Sequence, residues 1–173
     1  QHASKEVVLV IVAENGLYLE HASEALKNDI EVVRAAIGQN PGSLQHASEA
    51  LKNDIEVVRA AIEQNPKSLQ YASEGLYTDR EFILDAIAIN ERALQYTSTE
   101  LRSNKEFLQE AMERNGSALG FIEGKRGDFW CQDRQKSLLA IERSFGNAWQ
   151  YIGAQLRDDA SFMHQAVKRN IQV

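Results

Sequence analysis

Three histidines sit in one local context: His2, His21 and His46 are each followed by Ala-Ser. Regularly placed imidazoles could build a ladder of metal ligands. Steps of 25 residues from His46 argue otherwise, because they lead to Tyr71, Tyr96 and Phe121, and the looser C-terminal copy holds Tyr151. Phenylalanine has no donor atom, so the position asks for an aromatic-sized packing residue and not for a ligand. Cys131 is the single cysteine and has no histidine at a nucleophile-type spacing. It cannot close an internal disulfide, which is compatible with a reducing intracellular compartment. The GKRGD stretch at residues 124–128 lacks the G-x-x-x-x-G-K-[ST] spacing that cradles a phosphate, and its Arg-Gly-Asp tripeptide stands without the context an adhesion motif needs. Asn115-Gly-Ser spells a glycosylation sequon, on a residue that helix capping already explains.

These readings leave no catalytic residue, no metal ligand and no cofactor site. What remains is a contact patch. Lys125, Arg126, Phe129 and Trp130 lie in GFIEGKRGDFWCQDRQK, a glycine- and charge-rich stretch outside any helical stripe. Arginine and aromatic side chains are enriched where proteins grip one another, so these four are the predicted partner-binding residues. The competing role for Phe129 and Trp130 is to cover an exposed end of the fold.

The elements that would carry such a patch follow from an internal repeat. HASEALKNDIEVVRAAI occurs at 21–37 and again, unchanged, at 46–62. Asn15, Asn40, Asn65, Asn90 and Asn115 fall 25 apart, as do Leu19, Leu44, Leu69, Leu94 and Leu119. Val8, Val33, Val58, Ile83 and Leu108 keep the same phase, and so do Val12, Ile37, Ile62, Ile87 and Met112. Within a unit, Val32, Val33, Ala36 and Ile37 form one stripe at helical period. Leu44, Ala47 and Leu51 form a second. Each unit is therefore expected to be two short helices. Asn28, Asn53, Thr78 and Ser103, each followed three residues later by Glu, read as capping boxes that start the first helix. The repeated asparagine is expected to close that helix in a left-handed conformation and to cap the second, where Pro41 and Pro66 follow it.

Helices of this length do not hold themselves, so copies must stack. The expected fold is all-α, an α-solenoid of short helix-turn-helix repeats in one domain over residues 1–173. Regular repeats span 5–119, an irregular insertion spans 120–147, and degenerate repeats follow over 148–173. Trp149 takes the place of Leu119 at 30 residues instead of 25, so about five residues have been inserted. The opening QHAS at residues 1–4 matches residues 45–48 inside a repeat, as expected of a segment of something longer or of a processed form.

The repeat text resembles a known family. LQHASEALKNDIEVVRAAIGQN and LQYASEGLYTDREFILDAIAIN are similar to the tandem repeat called Domain of Unknown Function 4116, closely over residues 5–119 and loosely over 148–170. The resemblance implies tandem helical repeats, of a kind found in bacterial proteins, some resembling injected effectors, and in unicellular eukaryotes. It implies no activity.

Bulk properties narrow the partner. The net charge is −6, from 19 basic and 25 acidic residues, with no basic stripe of the sort that grips a phosphate backbone. The longest apolar run, residues 7–13, is far below the roughly 20 residues of a membrane span. The expectation is a non-enzymatic scaffold or structural subunit with a protein partner, no nucleic acid and no membrane span. The alternative is a repeat segment of a longer effector or enzyme whose catalytic part lies elsewhere.

Overall fold

The computed structural model describes residues 4–122 and 131–171. Every regular element among them is helical. The chain divides into two compact units, Gln1–Thr97 and Ser98–Val173.

The first unit holds four long helices: α1 (Lys5–Glu14), α2 (Ile30–Gln39), α3 (Ile55–Gln64) and α4 (Arg80–Ile89). Each is followed by a six-residue 3-10 segment: Gly16–His21, Pro41–His46, Pro66–Tyr71 and Glu91–Tyr96. Short α-helices Glu24–Lys27, Glu49–Lys52 and Glu74–Thr78 complete the repeats. The second unit holds α5 (Lys105–Arg114), α6 (Arg134–Arg143) and α7 (Ala160–Ile171), with 3-10 segments Gly116–Phe121 and Asn147–Tyr151. In the first unit each long helix packs on the next, and each 3-10 segment on the next, so the repeats stack in sequence order as an α-solenoid.

Three local expectations need correction. The caps of the long helices are not Asn28, Asn53, Thr78 and Ser103 but the residues after them: Asp29, Asp54, Asp79 and Asn104 accept the first free N–H groups. A capping box would need Glu at the third helical position. Val32, Val57, Phe82 and Phe107 stand there instead, buried in the core. Asn28 and Asn53 end the short helices, and their side-chain oxygens accept the hydroxyls of Ser48 and Ser73 in the next repeat at 2.6 and 2.5 Å.

The second predicted helix is two pieces. Ala22, Ala47, Ala72 and Thr97 take extended backbone between the 3-10 segment and the short helix. That break turns the N–H of Ser48 and of Ser73 toward the carbonyls of Lys27 and Lys52, at 2.9 Å each. A continuous helix would have spent those N–H groups internally, and the rungs between repeats would be lost.

The repeated asparagines do cap the second element, accepting the N–H two residues on at 2.9–3.1 Å. Their backbone is extended, not left-handed, with φ between −146° and −150°. Helix closure comes instead from their own N–H, which donates to the carbonyl four residues back.

The core is built from equivalent positions. The leucine of each 3-10 segment, Leu19 through Leu119, is at most 2% exposed. It seats on the long helix before it, where the paired apolar residues (Val33 and Ile37 in α2) are buried. Each such aliphatic side chain contributes about 1.5–3 kcal/mol, more than enough to decide for helix in a segment that is marginal alone. One residue earlier, Ser43, Ser68, Ala93 and Ala118 are buried because the stacked 3-10 segments leave room for a small side chain only. Tyr18 and Ile11 stand in the first repeat where later ones have Ser43 and Ala36, and both are partly exposed.

Two substitutions of opposite sign test this packing by urea melts. A Cβ on Gly116 would lie 2.0 Å from the carbonyl oxygen of Ala140, so Gly116→Ala is expected to destabilise by about 1–3 kcal/mol. The buried Ser68 hydroxyl meets no protein partner, so Ser68→Ala, the residue of other repeats, is expected to stabilise by about 1 kcal/mol. A stabilised Gly116→Ala variant would contradict the close approach.

Candidate functional site

Lys125, Arg126, Phe129 and Trp130 lie outside the described residues. The other sequence candidates have packing positions. His21 is exposed, whereas His46, Tyr71, Tyr96, Phe121 and Tyr151 are half-buried at one repeat position. The Tyr151 ring lies where a Cβ on Gly120 would be, so this aromatic packs onto the neighbouring backbone. Burial holds the His46 imidazole below its ordinary value of 6.5, and Glu20 opposes the shift. Among the described residues no group of three or more His, Cys, Asp or Glu is placed to hold a metal ion. The half-buried Cys131 accepts through its backbone carbonyl, from the N–H of Gly153 at 3.0 Å and the hydroxyl of Ser137 at 3.3 Å.

The second unit contains a feature that the residue pattern hides. Helix α6 begins 29 residues after α5, and the following 3-10 segment ends 30 after its counterpart. One extra residue is therefore spent between Arg143 and Tyr151. The geometry of the helix end accounts for it. The N–H of Gly146 donates to the carbonyl of Ile141 at 2.8 Å, and the N–H of Phe145 to that of Glu142 at 3.4 Å. This is a Schellman ending, which demands a left-handed residue at its turn. That residue is Phe145, at φ 50°, a place where glycine is usual. Gly146 follows at φ 88°. The Ser144 hydroxyl pins the turn, accepting the N–H of Ala148 at 2.8 Å. The Phe145 side chain is 72% exposed.

Phe145 forms the lip of an apolar groove of about 500 Å³ lined by Ile141, Trp149, Met163, Ala166 and Val167. No titratable side chain lines it. Its floor is held by contacts between α6 and α7. Arg134 at the start of α6 reaches Asp159 at 2.7 Å and the Ser161 hydroxyl at 2.8 Å, with its guanidinium 5.6 Å from the Phe162 ring centre. Phe162 stacks on Trp149 at 6.4 Å between ring centres. Arg169 pairs with Glu142 at 3.2 Å. The N–H of Phe162 and then Arg134 hold the Asp159 carboxyl below its ordinary range. The ion pairs are largely solvated and fix orientation more than they stabilise.

The groove lies where, in the regular repeats, the leucine four residues after the repeated asparagine covers the long helix; counted from Asn170, that position is 174, past the last residue of the sequence. Met163 and Val167 of α7 occupy the phase of Val33 and Ile37, Val58 and Ile62, Ile83 and Ile87, and Leu108 and Met112. Those pairs are at most 1% exposed, whereas Met163 is 38% and Val167 52% exposed. The stripe of α7 was legible in the residues. The groove was not, because it depends on the left-handed turn at Phe145, which a phenylalanine does not announce. The Phe-Gly pair directly after a helical stripe was the available signal.

The family described as Domain of unknown function (DUF4116) matches the chain three times, at residues 4–52, 35–77 and 79–124. Comparison with curated proteins and with solved structures gives no match.

The histidine position yields a pH prediction. A folded-state pKa below the ordinary value means that the unfolded chain binds more protons, so His46 costs stability as pH falls from 6.5 toward the folded value. His46→Tyr, the residue of three other repeats, is expected to reduce the loss of melting temperature between about pH 7.5 and pH 5.5. An unchanged pH dependence in thermal melts would contradict the burial of the imidazole.

Proposed function

This chain belongs to the DUF4116 repeat family, and we propose that it is a non-enzymatic protein-interaction domain, a scaffold or structural subunit that holds its partner in the groove beside Phe145. The observation that carries this reading is an exposed aromatic, Phe145, held on a left-handed turn at the lip of an apolar groove. A bulky residue in that conformation costs about 1 kcal/mol, and such strain is concentrated at sites that use it. Aromatic side chains beside a pocket are the residues that dominate binding energy.

Two further properties support a protein partner. Acidic residues outnumber basic ones by six, which suits a basic protein surface and opposes a phosphate backbone. Among the described residues no helix is long and apolar enough to cross a membrane. The groove offers apolar contact and no acid, base or nucleophile, so it is suited to holding and not to turnover.

The test is affinity capture from the source lysate with the wild-type chain and with Phe145→Asn. Asparagine tolerates the left-handed turn, so the variant is expected to unfold about 0.5–1 kcal/mol later than wild type while losing the captured protein. A partner retained by Phe145→Asn and by Met163→Lys would remove the groove from the interface. Recovery of no protein by the wild-type chain would count against the scaffold reading itself.

A further inference from the structure

We infer that the edge formed by the starts of α2 and α3 docks a basic segment of a protein partner, with a lysine or arginine head group held by Asp54 and Glu56 and its stem on Ile30. This inference does not depend on the groove beside Phe145.

The chain itself shows what such an acceptor holds. Residues 21–37 and 46–62 are identical, so Asp29 and Glu31 recur as Asp54 and Glu56. In the first copy a cation from the preceding helix closes the pair: Lys5 Nζ lies 2.8 Å from both the Asp29 and the Glu31 carboxylates. The two oxygens of Asp29 divide the work. Oδ1 accepts the N–H groups of Glu31 and Val32, and Oδ2 takes the ammonium. The second unit repeats this division. Asp159 caps through Oδ1, to the N–H of Phe162, and takes Arg134 on Oδ2 at 2.7 Å, while the same guanidinium reaches the Ser161 hydroxyl two residues on.

The second copy keeps the acceptor and omits the cation. Asp54 caps through Oδ1, to the N–H of Val57, so its Oδ2 is left as Asp29 leaves the oxygen that holds Lys5. The residue 25 after Lys5 is Ile30, 46% exposed. One repeat further, Ile55 stands before Asp79 and is 47% exposed. Among the described residues no cation pairs with Asp54, Glu56 or Asp79. An aliphatic surface beside a free carboxylate matches a side chain with an apolar stem and a charged head. Arg34, one turn beyond Ile30, lines the groove between α2 and α3 with Glu56 and repels a cation placed deeper there. Basic side chains are thereby confined to the helix starts. Packed helices lie about 8–10 Å apart, and an extended segment covers about 10 Å in three residues, so basic residues three apart match Asp54 and Asp79.

The test is a nuclear magnetic resonance titration of the nitrogen-15-labelled chain with the capped peptide Ser-Lys-Val-Ala-Lys-Ser at low salt. Amide signals of residues 54–57 are expected to shift saturably, in the millimolar range because each exposed ion pair contributes little. The identical residues 29–32, already closed by Lys5, are expected to stay in place, which separates docking from general attraction between opposite charges. Ile30→Lys is expected to close the second copy from within and remove the response. Lys5→Ile is expected to open the first copy and produce a response at residues 29–32. Equal shifts in both copies of the unsubstituted chain, no shift at residues 54–57 up to about 10 mM, or a response that survives Ile30→Lys would overturn the proposal.

Discussion

The structure depends on one contact, a leucine from a 3-10 turn seated on two apolar residues of the ten-residue helix before it. A helix of that length is marginal in water, and its amphipathic stripe is not stable until something covers it. The turn that follows provides the cover, and the asparagine between them makes the turn possible. Its N–H closes the helix while its side chain opens the 3-10 segment. The polar residue and the apolar one therefore act as a pair. Without the cap the leucine would not be aimed at the helix, and without the leucine the cap would hold a turn against nothing.

Stacking adds a second layer of order. The hydroxyl and N–H of Ser48 and Ser73 both reach back to the preceding repeat, to the Asn28 and Asn53 side chains and the Lys27 and Lys52 carbonyls. The same Ser oxygens accept from Leu51 and Leu76 and so start the short helices. One residue type thus satisfies a local helix end and a contact some 20 residues away. Before the short helix Ala154–Arg157, Gly153 replaces that serine. It keeps the backbone rung, to Cys131, but has no side chain with which to cap.

Much of this was legible from residue types that recur at fixed phase. The leucines, the asparagines and the stripe at Val32, Val33, Ala36 and Ile37 all stand where the spacing puts them. The helix start was misplaced by one because two good capping residues, Asn28 and Asp29, are adjacent, and only the burial of Val32 chooses between them. The split of the second helix was invisible for a different reason. Ala47 is as content in a helix as in extended backbone, and what pulls it out is a carbonyl on another repeat. The groove was hidden by the same logic, since the left-handed turn at Phe145 is imposed by the hydrogen bonds that end α6.

The identical 17-residue segments have a consequence for how the chain finds its register. Residues 21–37 and 46–62 present the same core side chains, so a chain that skipped one copy would find equivalent contacts for the other. The penalty for such a slip would be little more than the entropy of a looped-out repeat. What distinguishes the copies lies at their borders: Gly38 against Glu63, Gly42 against Lys67 and His46 against Tyr71, none of them in the buried core. The bulky Ile11 and Tyr18 supply the missing reference point. They are too large for the buried positions that Ala36 and Ser43 fill, so the segment that carries them cannot exchange places with either identical copy.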